Sequence, residues 1–374
     1  MVLTSQEESI YKAFKKLKGQ AGTHSPSIYE LINQCPQLKI DIDACFLCNP
    51  YAFDLFIEYF SKINLEKYIK FYPPQNHELA NNISAFNSIP SEKILVGNGA
   101  IEIIQSLFGG FVAKKIMITL PSFSAYYEIS ELNNSVVPYY LSVENNFNID
   151  VSDYCNFIVR ESPDVIVIIN PNNPTGSIIS KSDLIKIHKV LSPNQLLVID
   201  ESFIHFTSED HSLERYSIHY SNIVIIRSLS KDFGIAGIRL GYAVMPEQMV
   251  KEFRRSGYLW NSNGLAYYFT ELLKNNDFIE KYDNARALYN TSRDDFFNNL
   301  TNQNNIITYP SHCNFFLIKT KYDSAKLFIK FLVQHGIYIR LLDDKLGLDG
   351  NFIRVASKNQ SENSRIIRAF NNLM

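Results

Sequence analysis

Short, continuously apolar runs alternate with amphipathic stretches through the middle of this chain. Four of the runs are rich in β-branched residues and end at Pro, Asn, Asp or Ser, which predicts buried strands at IMITL (Ile116–Leu120), VIVIIN (Val165–Asn170), LLVID (Leu196–Asp200) and NIVIIRS (Asn222–Ser228). Between them, SDLIKIHKVL (Ser182–Leu191) places its apolar residues on one helical face, with Ser182 as the predicted N-cap. Strands and helices that alternate in this way predict an α/β fold with a mostly parallel sheet, covered by helices on both faces.

The last third of the chain has a different pattern. Its predicted strands, CNFFLIKT (Cys313–Thr320) and NFIRVAS (Asn351–Ser357), are separated by amphipathic helices such as SAKLFIKFLVQHG (Ser324–Gly336). This pattern is typical of a smaller α+β domain. We therefore predict an N-terminal arm at 1–45 that packs with the small domain, a large domain at 46–262 and a small C-terminal domain at 263–374.

Charge and cysteine usage narrow the functional classes. The net charge of −2 gives no argument for binding nucleic acid or an anionic membrane. No apolar run approaches the roughly 18 residues of a membrane span, and no secretory apolar segment is visible at the N-terminus. Five scattered cysteines suit a reducing compartment, so we expect a cytoplasmic protein. Cys45 and Cys48 have metal-ligand spacing, but no second pair follows, and we predict no metal site.

Polar residues follow the predicted strands, where ligands bind in open parallel sheets. Asn173 (in PNNPTG) follows VIVIIN, Asp200 ends LLVID, and Lys231 follows NIVII. The glycine-rich segment GNGA (Gly97–Ala100) follows KILV and opens a helix near Ile101. An amide, a carboxylate, a lysine and a glycine-rich helix start are the parts needed to hold pyridoxal phosphate.

The chemistry of this cofactor explains why these residue types are needed. Lys231 can hold the aldehyde as an imine, and Asp200 can keep the ring nitrogen protonated so that the ring acts as an electron sink. Asn173 can donate a hydrogen bond to the ring oxygen. The phosphate requires backbone N–H groups at a helix start, hydroxyls and an arginine, a set supplied by Gly99, Ala100, Ser228, Ser230 and Arg239.

The motifs NNPTG, DES and SLSKDFGIAGIRLGY together resemble the class I/II pyridoxal-phosphate-dependent aminotransferases of fold type I. The resemblance extends from about His24 to the C-terminus and implies the cofactor roles just given. It also implies that Phe123, in PSFSAYYE, stacks on the cofactor ring. Tyr72, in KFYPP, matches a tyrosine that reaches the other subunit's cofactor phosphate, which implies a homodimer with shared active sites.

Two branches of the family are the most similar, the threonine-phosphate decarboxylases and the histidinol-phosphate aminotransferases. Both act on phosphorylated substrates, and both carry arginines at the positions of Arg340, in IYIRLL, and Arg354, in FIRVAS. Two guanidinium groups near one site fit a small amino compound that carries carboxylate and phosphate, or phosphate alone. For Arg340, a solvated charge at a strand end is the alternative interpretation.

Several details favour the decarboxylase branch. Phe203, in DESFIHF, stands where the aminotransferases usually carry a tyrosine that donates to the ring oxygen. His24 lies where the decarboxylases have a histidine near the substrate, although the glycines and asparagine that follow it there are missing; a solvated loop histidine is the alternative. Asn49, in FLCNPYAF, matches an asparagine close to substrate in both branches. The segments WNSNGLA (Trp260–Ala266) and SENSRIIRAF (Ser361–Phe370) are also similar to the decarboxylases.

The resulting hypothesis is a decarboxylase of a phosphorylated L-amino acid, L-serine phosphate or L-threonine phosphate, that yields ethanolamine phosphate or aminopropanol phosphate. The first alternative is an aminotransferase for a substrate such as histidinol phosphate or a triose phosphate. A non-catalytic binding protein with the same fold is a second alternative. A dinucleotide-dependent oxidoreductase is disfavoured because Glu102 replaces the third glycine of the fingerprint.

Overall fold

Two β-sheets organise the computed structural model, which describes residues 2–20, 24–111, 115–131, 135–257 and 261–373. The strands are β1 (Ile42–Ala44), β2 (Ile94–Asn98), β3 (Lys115–Leu120), β4 (Ser135–Tyr140), β5 (Val165–Ile169), β6 (Leu196–Asp200), β7 (Ile223–Ser228), β8 (Leu240–Val244), β9 (Ile306–Thr308), β10 (Phe315–Thr320), β11 (Ile337–Leu341) and β12 (Phe352–Ala356). The helices are α1 (Ser5–Gln20), α2 (Ile28–Gln34), α3 (Pro50–Phe60), α4 (Leu65–Lys70), α5 (Asn76–Asn87), α6 (Ala100–Ser106), α7 (Ala125–Ser130), α8 (Val151–Glu161), α9 (Lys181–Lys189), α10 (Glu214–Ser217), α11 (Leu229–Asp232), α12 (Glu247–Arg255), α13 (Gly264–Leu272), α14 (Asn276–Thr301), α15 (Ser324–His335) and α16 (Gln360–Leu373).

The larger sheet has the strand order β2-β8-β7-β6-β5-β3-β4, and only β8 runs antiparallel to its neighbours. The central strand β5 is apolar at every position because consecutive side chains enter different cores. Ile166 and Ile168 belong to one core cluster, whereas Val165 and Val167 belong to the cluster on the other face. The predicted mostly parallel sheet is confirmed, and its four predicted strands agree with the structure to within a residue or two at each end.

The smaller sheet has the order β1-β11-β12-β10-β9. Its strand β1 comes from the N-terminal part of the chain and pairs in parallel with β11, whereas the other pairs are antiparallel. A separate core cluster joins α1, through Phe14, to α15 and β11, through Phe328 and Tyr338. The predicted smaller α+β unit is therefore present, and the boundaries at 1–45, 46–262 and 263–374 stay predictions.

Local differences from the sequence analysis are small. The N-cap of α9 is Ser180 rather than the predicted Ser182, because Ser180 has an extended backbone and its hydroxyl accepts from the N–H of Asp183. Of the WNSNGLA segment, Trp260 lies outside the described residues, whereas Asn261 donates to a Glu102 carboxylate oxygen at 2.8 Å. Among the described residues, no helix is long and apolar enough to cross a lipid bilayer.

Candidate active site

A cavity of about 530 Å³ lies where the carboxyl ends of β5, β6 and β7 face β11 and β12. This is the edge at which open α/β sheets bind ligands. Most of the residues singled out in the sequence line it: His24, Ala100, Phe123, Asn173, Asp200, Ser228, Ser230, Lys231, Arg239, Arg340 and Arg354. The structure places Gly99, Asn49 and Tyr72 outside the cavity wall.

Asp200 lies at the end of β6, buried in the floor of the cavity. One carboxylate oxygen accepts from the Tyr126 hydroxyl at 2.7 Å, and the other accepts from the backbone N–H of Ser202 at 2.9 Å. Burial raises the pKa of Asp200, and the hydrogen bonds from Ser202 and Tyr126 oppose that shift by favouring the charged form. The carboxylate is thus oriented from two sides and suited to pair with a protonated ring nitrogen.

Lys231 lies in α11, directly after β7, and its side chain is partly buried. Its backbone C=O accepts from the N–H of Asn49 at 2.9 Å, which ties the start of α3 to the lysine. Burial lowers the pKa of Lys231 to about 8, and Arg354 and Arg239 add to the lowering, whereas Cys48 opposes it. An amine with this pKa is neutral for an appreciable part of the time near neutral pH and can act as a nucleophile.

Two glycines shape the predicted phosphate cradle. Gly99 has φ +79°, and a Cβ there would lie 2.5 Å from an Arg239 guanidinium nitrogen. A Cβ on Gly241 would lie 2.4 Å from the backbone N of Ala100, so β8 and the start of α6 approach closely. The N–H of Gly99 already donates to the C=O of Gly97 at 2.8 Å, which leaves Ala100 as the better placed of the two predicted amide donors.

Arg239 itself has a left-handed backbone with φ +63°, an uncommon conformation for a residue that is not glycine. One of its guanidinium nitrogens donates to the C=O of Ala236 at 3.0 Å, which steadies the side chain at the rim. Ser228 and Ser230 are buried on the same wall, where β7 passes into α11. The cavity therefore offers hydroxyls, a helix start and a guanidinium to a phosphate, and a carboxylate and an amine to a pyridine aldehyde, so these residues fit pyridoxal phosphate.

Arg354 lies in β12, and its side chain crosses to the larger sheet. It donates to the Asn173 side-chain oxygen at 2.8 Å and to the Cys45 C=O at 2.7 Å, and it lies 5.0 Å from the centre of the Phe315 ring. Burial lowers the pKa of Arg354 to about 10, and Arg340 adds to the lowering. Because the Asn173 oxygen accepts from Arg354, the amide nitrogen is left to donate elsewhere.

Arg340, in β11, pairs directly with Arg354 of β12 in the antiparallel register, so the two side chains share one face of the sheet. Arg340 is only 5% exposed, which excludes the interpretation as a solvated charge. It donates to the Ser25 hydroxyl and lies 3.6 Å from an Asp344 carboxylate oxygen. Two guanidinium groups thus face the cavity from adjacent strands.

His24 and Phe123 lie together at the cavity, with their ring centres 5.4 Å apart. The His24 Nε2 is 3.8 Å from a Glu128 carboxylate oxygen, and burial lowers the pKa of the imidazole. Asn49, in contrast, is fully buried as the N-cap of α3, where its side-chain oxygen accepts from the N–H of Tyr51 at 3.1 Å. A substrate contact by His24 or Asn49 stays a prediction.

Some residues at or behind the cavity were missed by sequence reasoning. Tyr126 lies behind Asp200, three residues after Phe123, a spacing that could have indicated a second inward-facing aromatic. Ser25 and Lys345 line the cavity itself, but each lies in a loop with no recognisable pattern. Phe203, which replaces a tyrosine in the resemblance, packs edge-on against Phe315 at 5.3 Å in the cavity wall.

The fold is that of fold type I. It combines a mostly parallel sheet, whose strand ends present a lysine and a carboxylate, with a smaller α+β unit. The family model described as aminotransferase class I and II matches residues 49–370. The chain therefore belongs to the class I and II aminotransferase family, and the resemblance found in its motifs is confirmed.

Relatives are similar along almost the whole chain. An L-serine phosphate decarboxylase of Campylobacter jejuni is 41% identical over 98% of this chain and 97% of its own length. An L-serine phosphate decarboxylase of Sulfurospirillum multivorans is 37% identical over 100% of this chain and 98% of its own length. A solved decarboxylase structure from Sulfurospirillum multivorans, also 37% identical, superposes with a TM-score of 0.93 and covers 99% of this chain and 97% of that chain.

Proposed function

We propose that this protein is a pyridoxal-phosphate-dependent decarboxylase that converts L-serine phosphate into ethanolamine phosphate and CO2. The observation that carries the proposal is the facing pair of Arg340 and Arg354 in a cavity that also contains Lys231 and Asp200. Like charges directly opposite each other in a sheet are destabilising, so we infer that the pair is retained for an anionic substrate. The names of the two relatives described above support L-serine phosphate.

Pyridoxal phosphate, when bound, would withdraw electrons from the bonds of the substrate Cα. Lys231 is the residue that would hold the cofactor, Asp200 would keep its ring nitrogen protonated, and Asn173 would donate to its ring oxygen. The cofactor phosphate would be held by Ala100, Ser228, Ser230 and Arg239, with Gly99 providing the space, and Phe123 would stack on the ring.

Decarboxylation breaks the bond between Cα and the carboxylate, and a proton must then reach Cα. Lys231 is suited to deliver it, because a partly buried amine with a pKa of about 8 exchanges protons readily near neutral pH. Arg354 and Arg340 would bind the anionic groups and so orient Cα, and this orientation decides which of its bonds breaks. We propose that His24 contacts the substrate from the rim, and that Asn49 acts by holding the backbone of Lys231.

The proposed assembly is a homodimer in which Tyr72 reaches the partner's cofactor phosphate. Tyr72 is 83% exposed, and Ile69 and Phe71 on the same segment are also exposed. Exposed apolar groups that cluster in this way are typical of protein interfaces. The division into an arm, a large domain and a small domain, and the cytoplasmic location, are part of the same proposal.

The direct test is incubation of the holoenzyme with L-serine phosphate in the absence of any keto acid. We expect stoichiometric release of CO2 and formation of ethanolamine phosphate, measured by a coupled bicarbonate assay and by phosphorus NMR. L-threonine phosphate, assayed in parallel, establishes whether a β-methyl group is accepted. Turnover that requires 2-oxoglutarate, with conversion of the cofactor to its amine form, would contradict decarboxylation and favour an aminotransferase.

A further inference from the structure

Lys345 lines the cavity, although no motif singles it out and no cofactor role is assigned to it. It follows β11 in the loop that begins after Arg340 and Leu341, and its side chain is partly buried. The same part of the wall contains Arg340, Ser25 and His24. Lys345 is therefore a second cation, near Arg340, in the part of the cavity lining that has no assigned cofactor role.

The loop that carries Lys345 is held in place by close contacts. The N–H of Lys345 donates to the C=O of Leu342 at 3.3 Å, and the C=O of Lys345 accepts from the N–H of Leu348 at 3.1 Å. Gly347, with φ +82°, lies against the end of β3, where a Cβ would be 3.0 Å from the backbone N of Pro121. Lys345 is thus positioned between β11 and the segment that leads to Phe123.

The charged groups around Lys345 are of both signs, two guanidinium groups and two carboxylates. Burial lowers the pKa of Lys345 to about 7, Arg340 and Arg354 add to the lowering, and Asp344 and Glu128 oppose it. Across the described parts of the chain, no hydrogen bond or ion pair engages the Lys345 Nζ. The two carboxylates offset part of the cost of a partly buried ammonium near two guanidinium groups, and an anion that enters the cavity and pairs with it directly would lower that cost further.

The charged residues that line the cavity indicate which anion would bind near Lys345. The described lining contains Lys231, Arg239, Arg340, Lys345 and Arg354 as cations and Asp200 as its carboxylate. In the proposed function, Lys231, Asp200 and Arg239 serve the cofactor, which leaves three cations, namely Arg340, Lys345 and Arg354. L-Serine phosphate offers one carboxylate charge and a phosphate charge of about −1.5 to −2 near pH 7, so it has enough anionic groups to contact all three cations, of which Arg340 also pairs with Asp344 behind the cavity lining.

We propose that Lys345, together with Arg340, binds the phosphate group of the substrate and thereby selects a dianion over a monoanion. This assignment rests on the proposed function, because it presupposes a phosphorylated substrate. It makes Lys345 a specificity-determining residue with no part in breaking the bond at Cα. Arg354, which is held by Asn173 and Cys45, is left for the carboxylate end of the substrate.

The test compares Lys345→Met with Lys345→Arg and with Lys39→Met, a control at a lysine whose side chain is 87% exposed. Binding of ethanolamine phosphate to each holoenzyme is measured by calorimetry, with ethanolamine sulfate as the monoanionic probe. We expect Lys345→Met to weaken phosphate-ester binding by about 10- to 100-fold and sulfate-ester binding by much less. Lys345→Arg is expected to restore most of the affinity, and Lys39→Met to match the parent protein.

Steady-state kinetics with L-serine phosphate provide the second readout. The KM of Lys345→Met is expected to rise by a similar factor while kcat stays within about threefold. A large loss of kcat at unchanged affinity for ethanolamine phosphate would instead place Lys345 in the proton transfer and overturn the assignment. Unchanged affinity and KM, or a parent protein that does not bind ethanolamine phosphate, would also overturn it.

The two proposals can fail separately. If the parent protein binds ethanolamine phosphate, Lys345→Met loses that binding, and no CO2 is released from L-serine phosphate, then the decarboxylase assignment is wrong and the phosphate site stands. If CO2 is released normally by Lys345→Met at low substrate concentration, the decarboxylase assignment stands and the phosphate site is wrong.

Discussion

The two sides of the cavity come from different parts of the chain. The cofactor wall, as we name it, consists of Ala100, Asp200, Ser228, Ser230, Lys231 and Arg239, which lie at or next to the ends of strands of the larger sheet. The substrate wall consists of His24, Ser25, Arg340, Lys345 and Arg354, which come from the N-terminal segment and from the smaller sheet. Only the cofactor wall is therefore supplied by a single sheet.

This difference has a physical consequence. On the cofactor wall, backbone groups two or three residues away hold some of the side chains, as where Asp200 accepts from the N–H of Ser202 and Arg239 donates to the C=O of Ala236. On the substrate wall, contacts run between distant segments, such as Arg354 to Cys45 and Arg340 to Ser25. Small changes in the packing of these segments move the substrate arginines relative to the cofactor residues, and such shifts can select which bond at Cα reacts.

The largest expected effect comes from Lys231, which the proposal uses both to hold the cofactor and to deliver the proton. Lys231→Met is expected to lower turnover of L-serine phosphate by at least about 10⁴-fold. CO2 release measures the loss, and circular dichroism checks that the fold persists. Substantial activity in this variant would show that Lys231 is not needed for the reaction.

A smaller effect confined to the substrate wall is expected from Arg354→Lys. One ammonium group cannot replace a guanidinium that reaches both the Asn173 oxygen at 2.8 Å and the Cys45 C=O at 2.7 Å. We expect kcat/KM to fall by about 100-fold, with cofactor affinity within about threefold of the parent. The matched control is Arg368→Lys, at an exposed position in α16. If the affinity for pyridoxal phosphate also fell by about 100-fold, cofactor binding and substrate binding could not be assigned to separate walls.

The complementary change on the cofactor wall is Arg239→Ala. It removes the guanidinium that lies against Gly99, so the affinity for pyridoxal phosphate is expected to fall by about 10-fold. Fluorescence titration of the apoprotein measures this affinity, and Arg160→Ala, at a side chain that is 65% exposed, is the control. At saturating cofactor, the KM for L-serine phosphate is expected to stay near that of the parent. Unchanged cofactor affinity would contradict the phosphate role of Arg239.

The cofactor wall could be predicted from the sequence because its residues have local signals. Asp200 ends an apolar run and Lys231 follows another, and a parallel sheet brings the ends of such runs to one edge. The positions of the strands were predicted for the same reason, since a strand with helices on both faces is apolar throughout. The N-cap of α9 is Ser180 rather than Ser182. The sequence pattern could not distinguish the two, because both serines stand near the same helix start.

The substrate wall could be predicted only in part. Arg340 and Arg354 were found through the family resemblance, but their direct pairing depends on the register of β11 and β12. Lys345 and Ser25 occupy loops whose paths are fixed by packing between the two sheets, as Gly347 against Pro121 illustrates. Tyr126 was missed because its role depends on the 2.7 Å contact with Asp200 rather than on any pattern along the chain.

The smallest expected effect concerns the stability of the apoprotein. The folded-state pKa of Lys231 is about 8, against 10.5 for an ordinary lysine. The unfolded chain therefore binds more protons than the folded chain between these values, and stability rises with pH across this window.

Below about pH 8, apo Lys231→Met is expected to be more stable than the parent by roughly 1 to 2 kcal/mol, a figure that allows for partial exposure of the amine. Chemical denaturation at pH 7 and pH 10.5 measures this difference, which should be much smaller at the higher pH because the parent amine is then neutral in the folded state and about half neutral in the unfolded chain. A difference that is absent at pH 7, or that grows with pH, would contradict the burial of a functional amine on the cofactor wall.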